Sequence, residues 1–161
     1  MERFARAVEP VARAARASGV VVALEPTRPQ FAHVALAHTL RDGLRVCDEL
    51  ELGLVVDTAH LWWEDDFGTV LSEAGGRLAV VQVADLGFGG PVLERLVPGD
   101  GELPLGDLLA ASAATGFEGP FEVEILGRAI EDEGYEGAIG RSLAHLQEVL
   151  EAMGRPGPDT T

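Results

Sequence analysis

The strongest constraint on the fold of this chain is a regular alternation of short β-branched runs with amphipathic helical segments. The apolar runs are continuous, which is typical of strands buried on both faces of a parallel sheet. The pattern predicts an α/β fold of order α(βα)4 with right-handed crossovers between parallel strands. Strands are predicted at 20–26, 53–58, 77–85 and 121–126, and helices at 2–18, 39–51, 64–75, 104–116 and 137–153.

The domain organisation predicted from the sequence is simple. The 161 residues fit a single domain, which we predict to span 1–153, followed by a flexible tail at 154–161. Residues 86–103 contain several Gly and Pro and are predicted to form the longest loop.

The composition excludes several classes of function. Acidic residues number 27 against 12 basic ones, for a net charge of −15, and such a surface repels both nucleic-acid phosphates and anionic membranes. Cys47 is the only cysteine, so neither an intrachain disulfide nor a Cys-rich zinc site can form. No stretch has the pattern of a signal peptide or a membrane span. We therefore expect a cytoplasmic protein that binds neither nucleic acid nor membrane.

Each predicted strand carries a polar residue near its carboxyl end, where a buried apolar run should have none. These ends meet at one edge of a parallel sheet, so the side chains are expected to lie close together. Three carboxylates so arranged repel one another unless a cation neutralises them, and ligation by their oxygens and an amide oxygen suits Mn²⁺ or Mg²⁺. A single acidic residue at a strand end is more often a helix N-cap, and the residues alone leave both interpretations open. The four residues are Glu25, Asp57, Gln82 and Glu124.

Five motifs, taken in order, resemble the xylose isomerase-like TIM-barrel superfamily and, within it, the sugar phosphate isomerase/epimerase family. The resemblance extends from about residue 5 to 150 and rests on the combination of motifs. It implies a partial (β/α)8 barrel, in which this chain supplies an N-terminal helix and about four βα units, the C-terminal half. The motifs are LEPTRP (24–29), LVVDTAHLWWEDD (54–66), VVQVAD (80–85), ERLVPGDGELPL (94–105) and GPFEVEILG (119–127).

The resemblance also implies roles for individual residues. Glu25 and Glu124 would act as the catalytic acid/base pair. His60 and Arg95 would contact the substrate. The family often has His two positions after the Glu-Pro pair, whereas this chain has Arg28 in that neighbourhood, which weakens any inference about the substrate. The divalent metal, Mn or Mg, would be held by Glu25, Asp57, Gln82 and Glu124.

The reaction implied by the resemblance is a metal-dependent isomerisation or epimerisation of a sugar, a sugar phosphate or a related hydroxy-ketone. A carboxylate removes a proton next to the carbonyl, giving an enediolate, and returns it to the adjacent carbon or to the other face. Related dehydratases share this chemistry, so the outcome stays open. An apurinic endonuclease of the superfamily is disfavoured, because that reaction uses several zinc ions on DNA, whereas this chain has four His and a net charge of −15.

A half barrel leaves two edge strands and the inner face of its sheet exposed. Three arrangements would resolve this exposure: the chain is a fragment of a longer protein, it pairs with a separate N-terminal half, or two copies cover each other. The alternative function is therefore a truncated or non-catalytic half-barrel subunit that needs an N-terminal partner half.

Overall fold

A computed structural model describes residues 1–89 and 93–155 and confirms the α/β alternation. The predicted tail lies outside the described residues from position 156 onwards. The helices are α1 Glu2–Ala17, α2 Leu40–Leu50, α3 Thr58–Leu61, α4 Phe67–Ser72, α5 Leu105–Ala114, α6 Arg128–Glu133 and α7 Tyr135–Ala152. The strands are β1 Ala23–Leu24, β2 Gly53–Asp57, β3 Leu78–Val83, β4 Asp85–Gly87, β5 Glu94–Leu96 and β6 Phe121–Val123. None of the helices in these two ranges has the length and apolar character needed to cross a membrane.

Four strands form one parallel sheet in the order β1-β2-β3-β6. The helices that connect consecutive strands complete the βα units, so the molecule is a partial TIM barrel, as the sequence predicts. β4 and β5 form a separate antiparallel pair. Within the described part of the chain, β1 and β6 are the two edges of the four-stranded sheet.

The two faces of the sheet have different environments. Leu54 and Val56 have no exposed surface and belong to the main apolar cluster with residues of the helices. Gly53 points to the opposite face, the barrel interior, where a Cβ would come within 2.8 Å of Val21 Cγ1 and 3.0 Å of the Ala79 Cβ. Glycine therefore lets the neighbouring segments of the sheet, which carry Val21 and Ala79, approach closely at this point. Val21 is 67% exposed, so this end of the inner face is open to solvent.

Helix α2 follows directly from its local sequence. The Thr39 hydroxyl accepts a hydrogen bond from the Asp42 backbone N–H at 3.1 Å, which makes Thr39 the N-cap. The helix ends at Glu51, which adopts the left-handed conformation at φ 52. On the buried side, the free thiol of Cys47 donates to the Gly53 carbonyl at 3.1 Å and joins α2 to β2.

The segment 86–103 contains the β4–β5 hairpin, where the sequence predicted a loop. The buried carboxylate of Asp85 anchors this segment. It accepts hydrogen bonds from three backbone N–H groups, those of Leu86, Gly99 and Leu103. These donors satisfy the carboxylate without a counter-ion. The hairpin is important for the site because β5 carries Arg95.

Other element boundaries also differ from the prediction. Only Ala23–Leu24 of the predicted strand 20–26 is paired, because β1 has a neighbour on one side only. The helix predicted at 64–75 is the shorter α4, and α3 precedes it directly after β2. The last helix begins at Tyr135 rather than 137, and Gly134, at φ 96, separates it from the additional helix α6.

Candidate active site

The residues of the candidate site come from separate elements that meet at the carboxyl edge of the sheet. Glu25 follows β1, Asp57 ends β2, and Glu124 follows β6. Helix α3 begins directly after β2 and carries His60. Asp57 also caps this helix, since its Oδ1 accepts a hydrogen bond from the Ala59 backbone N–H at 2.8 Å. Asp57 is therefore both an N-cap and a site residue, and its Oδ2 faces the other charged groups.

Arg95 lies between two of the carboxylates. Its Nη2 is 2.5 Å from Asp57 Oδ2 and 3.6 Å from Glu124 Oε1, and its Nη1 donates to the Glu124 backbone carbonyl at 3.1 Å. The Asp57 side chain has no exposed surface, and the Arg95 side chain is 10% exposed. This guanidinium thus supplies the positive charge that two converging carboxylates require.

His60 contacts Glu25 through a neutral imidazole. The His60 Nε2 is 3.3 Å from Glu25 Oε1 and 3.8 Å from Asp57 Oδ2. Burial lowers the pKa of His60 to about 4, so the ring is uncharged near pH 7 and its contact with Glu25 is not an ion pair. The hydrogen bond of His60 Nε2 comes from Arg95, whose Nη2 donates to it at 3.5 Å. His60 Nδ1 is buried and finds no partner among the described residues.

The two glutamates of the site hold their protons more tightly than usual. Burial raises the pKa of Glu25 to about 7, and the charges of Asp57 and Glu124 raise it further in the same direction. Burial also raises the pKa of Glu124, with Arg95 opposing the change. A carboxyl that titrates near neutral pH can both accept and return a proton, as acid/base catalysis requires.

Gln82 lies beside Asp57 but is bonded to a residue that the sequence analysis missed. It is opposite Asp57 in the β2–β3 register and opposite Glu122 in the β3–β6 register. Its Nε2 donates to Glu122 Oε2 at 3.2 Å. The alternation of FEVEIL could have indicated Glu122, because residues two apart, such as Glu122 and Glu124, face the same side of a strand.

The oxygen atoms at this edge fit a hard divalent cation. Ligand atoms of Glu25, Asp57 and His60 lie within 4.8 Å of one another, so this group could hold a metal ion. Gln82 Oε1 and Glu124 Oε2 are buried, and neither has a hydrogen-bond partner among the described residues. Unpaired buried oxygens beside carboxylates are the donors that Mn²⁺ and Mg²⁺ prefer.

Arg28 and Phe31 form a further wall of the site. Arg28 Nη1 donates to the Ala59 carbonyl at 3.2 Å, and its guanidinium lies 5.4 Å above the Phe31 ring. The Phe31 ring in turn meets the His60 ring edge to face, with 5.3 Å between their centres. The sequence analysis assigned no role to Arg28 and missed Phe31, since no motif places this loop against α3.

Comparison with known proteins identifies the family of this chain. Residues 1–149 match the family described as the xylose isomerase-like TIM barrel. This chain belongs to that family. The predicted superfamily and the partial-barrel fold are therefore both confirmed.

The proteins similar to this chain include a dehydratase and several solved structures. A 3-dehydroshikimate dehydratase of Pseudomonas putida is 32% identical over 131 residues, which cover 72% of this chain and 20% of that protein. A protein of Sinorhizobium meliloti 1021 is 26% identical with a TM-score of 0.72, covering 86% of this chain and 53% of that one. An L-ribulose 3-epimerase is 23% identical with a TM-score of 0.70, and the match covers 93% of this chain and 54% of that one. The IOLI protein with a bound zinc atom is 22% identical with a TM-score of 0.77, and the match covers 92% of this chain and 55% of that one.

This chain therefore spans about half the length of the solved structures it matches and one fifth of the dehydratase. The two structures below 25% identity show the fold alone.

Proposed function

We propose that this chain carries the metal-binding and proton-transferring rim of an isomerase or epimerase that acts on a sugar or a related hydroxy-ketone. The observation that carries the proposal is the cluster of Glu25, Asp57, His60 and Glu124 at the strand ends, in which the pKa of Glu25 is about 7. Among the proteins that share this fold, the L-ribulose 3-epimerase is named for a sugar substrate, the class proposed here.

Four residues of this chain would hold the metal, and their oxygen atoms favour Mn²⁺ or Mg²⁺. When bound, a divalent ion would polarise the substrate carbonyl and so acidify the neighbouring C–H bond. The IOLI protein, which shares this fold, binds a zinc atom, which is also a divalent ion. The residues are Glu25, Asp57, Gln82 and Glu124.

The proton chemistry falls to the two glutamates. The Glu25 carboxylate could take a proton from the carbon next to the carbonyl and return it to the adjacent carbon. This single base is sufficient for an isomerisation. Glu124, which follows β6 at the far edge of the sheet from β1, could deliver a proton to the opposite face and thereby give an epimerisation. His60 and Arg95 would orient the substrate oxygens through hydrogen bonds.

A dehydratase is the second candidate, and the observation in its favour is the 32% identity to a 3-dehydroshikimate dehydratase. Removal of water from a β-hydroxy-ketone starts with the same proton abstraction next to the carbonyl. The site residues would have the same roles in this step, and only the fate of the resulting enolate would differ.

The other alternative is a half-barrel subunit that needs an N-terminal partner half. It is supported by the exposed apolar residues beside both edges of the sheet, where Val20, Val21 and Leu126 are 55%, 67% and 52% exposed. In that case this chain would contribute its residues to a pocket that the partner completes.

Proton exchange in deuterated water tests these functions. With Mn²⁺ present, the chain should introduce deuterium next to the carbonyl of D-fructose or D-tagatose, and NMR would detect the exchange. Glu25→Gln should abolish exchange, whereas Glu148→Gln, an exposed glutamate on α7, should leave it unchanged.

The remaining outcomes separate the alternatives. Loss of water from 3-dehydroshikimate without exchange into ketoses would favour the dehydratase. Exchange that appears only after an N-terminal half barrel is added would favour the subunit. No exchange under any of these conditions, with Mn²⁺ bound, would contradict the proposed function.

A further inference from the structure

Arg28 is positioned at the site without an acidic partner. Among the described residues, no carboxylate lies within ion-pair distance of its guanidinium, whereas Arg95 contacts both Asp57 and Glu124. Arg28 is held instead by the Ala59 carbonyl and by the ring of Phe31. Its buried Nε has no hydrogen-bond acceptor in the described part of the chain. A guanidinium held in place with a free donor is suited to bind an external oxyanion.

The two guanidiniums of the site differ in their acidic neighbours. Arg95 Nη2 lies 2.5 Å from the Asp57 carboxylate and 3.6 Å from that of Glu124, and these two groups balance its charge. Among the described residues, Arg28 has no such carboxylate neighbour. An anionic ligand would balance the charge of Arg28, whereas a neutral ligand would leave it without a counter-charge.

We infer that Arg28 binds an anionic group of the substrate, a carboxylate or a phosphate, so that the substrate is an acidic hydroxy-ketone rather than a neutral sugar. This inference rests on the proposed function and specifies its substrate class. A planar guanidinium can give two parallel hydrogen bonds to either kind of anion. Arg28 would thus be a substrate-binding residue that determines specificity.

Three ketoses that differ only at C6 provide the test: D-fructose, D-fructuronate and D-fructose 6-phosphate. Calorimetry would measure their dissociation constants for the Mn²⁺-loaded chain. We expect at least one of the two anionic ketoses to bind ten times more tightly than D-fructose or better. The comparison of D-fructuronate with D-fructose 6-phosphate distinguishes a carboxylate site from a phosphate site.

Variants of Arg28 would test whether its charge causes the preference for anionic ketoses over D-fructose. Arg28→Met should remove the preference for the anionic ketoses over D-fructose, whereas Arg28→Lys should retain part of it. Arg6→Met, at an exposed position on α1, should behave like the wild type. Circular dichroism and Mn²⁺ affinity of each variant would verify that its fold and metal site are intact.

Three results would overturn the inference: equal affinity for all three ketoses, a preference that persists in Arg28→Met, or no binding of either anionic ketose. Each can be told apart from failure of the proposed function, which is measured by deuterium exchange into all three ketoses. A chain that exchanges protons without preferring anions contradicts the inference alone. A chain that prefers anions without exchanging protons of any of the three ketoses contradicts the proposed function alone.

Discussion

Replacing Arg95 with Met tests how the carboxylates are neutralised when no metal is bound. Asp57 has no exposed surface, and Arg95 Nη2 lies 2.5 Å from its Oδ2. Removing one partner of a buried ion pair leaves the other charge uncompensated, at a cost of about 3 to 5 kcal/mol. Met retains most of the apolar stem of Arg95, so packing should change little. In the presence of a chelator, we expect the free energy of unfolding of Arg95→Met to fall by about 3 kcal/mol.

A divalent cation should compensate for this loss, because it supplies the missing positive charge to the same carboxylates. Arg95 and the metal compete for Asp57 Oδ2 and Glu124, so Arg95→Met should bind Mn²⁺ at least ten times more tightly than the wild type. Mn²⁺ should also raise the stability of the variant by more than that of the wild type. Urea denaturation with and without Mn²⁺, together with calorimetric titration, would measure both effects.

A matched control is available on α2, where Arg45 forms an exposed ion pair with Asp42 at 3.0 Å. Arg45→Met should change the stability far less, since exposed pairs contribute little. Unchanged stability of Arg95→Met in chelator would refute the neutralising role of Arg95. Weaker binding of Mn²⁺ by Arg95→Met would refute the competition.

Two further predictions concern proton linkage and backbone packing. Without metal, Glu25 (pKa about 7) loses a proton on unfolding, so its contribution to stability falls as the pH rises from about 4.5 to 7. His60 (pKa about 4) gains a proton on unfolding, so its contribution to stability rises as the pH rises from about 4 to 6.5. As the pH rises from about 4 to 7, the stability of His60→Asn relative to the wild type should therefore fall, and that of Glu25→Gln should rise. Urea denaturation midpoints with the same pH dependence in both variants would contradict this prediction. Gly101→Ala would place its Cβ against the Asp85 carboxylate and should lower stability by about 1 to 3 kcal/mol. Gly106→Ala on α5, where a Cβ meets no atom within 4 Å, should be neutral or slightly stabilising, and equal melting temperatures of the two variants would argue against the clash.

The position of the candidate site could be predicted from the sequence for a general reason. The carboxyl ends of parallel strands meet at one edge whatever the details of packing, so polar residues at the ends of 20–26, 53–58 and 121–126 had to approach one another. The structure places the carboxylates of Glu25 and Asp57 around His60, and those of Asp57 and Glu124 around Arg95. Their roles as metal ligands and catalytic groups stay predictions, which the experiments above test.

The hydrogen-bond partners within the site could not be predicted in the same way. Gln82 is bonded to Glu122 because the β3–β6 register sets these residues opposite each other, and register is a property of the assembled sheet. The β4–β5 hairpin was missed because its short strands have no periodic apolar pattern, and the contacts of Asp85 anchor the segment that contains it.

The sequence by itself determined the alternation of strands and helices, the family and the residues at the strand ends, because these depend on local periodicity and on motifs. The tertiary structure alone decided which charges neutralise which. Arg95 reaches Asp57 across 38 positions of the chain, and Arg28 reaches the Ala59 carbonyl across 31. Such contacts depend on how the hairpin and the loop after β1 fold over the sheet. Burial then sets the protonation of Glu25 and His60, since only the packed molecule removes these groups from water.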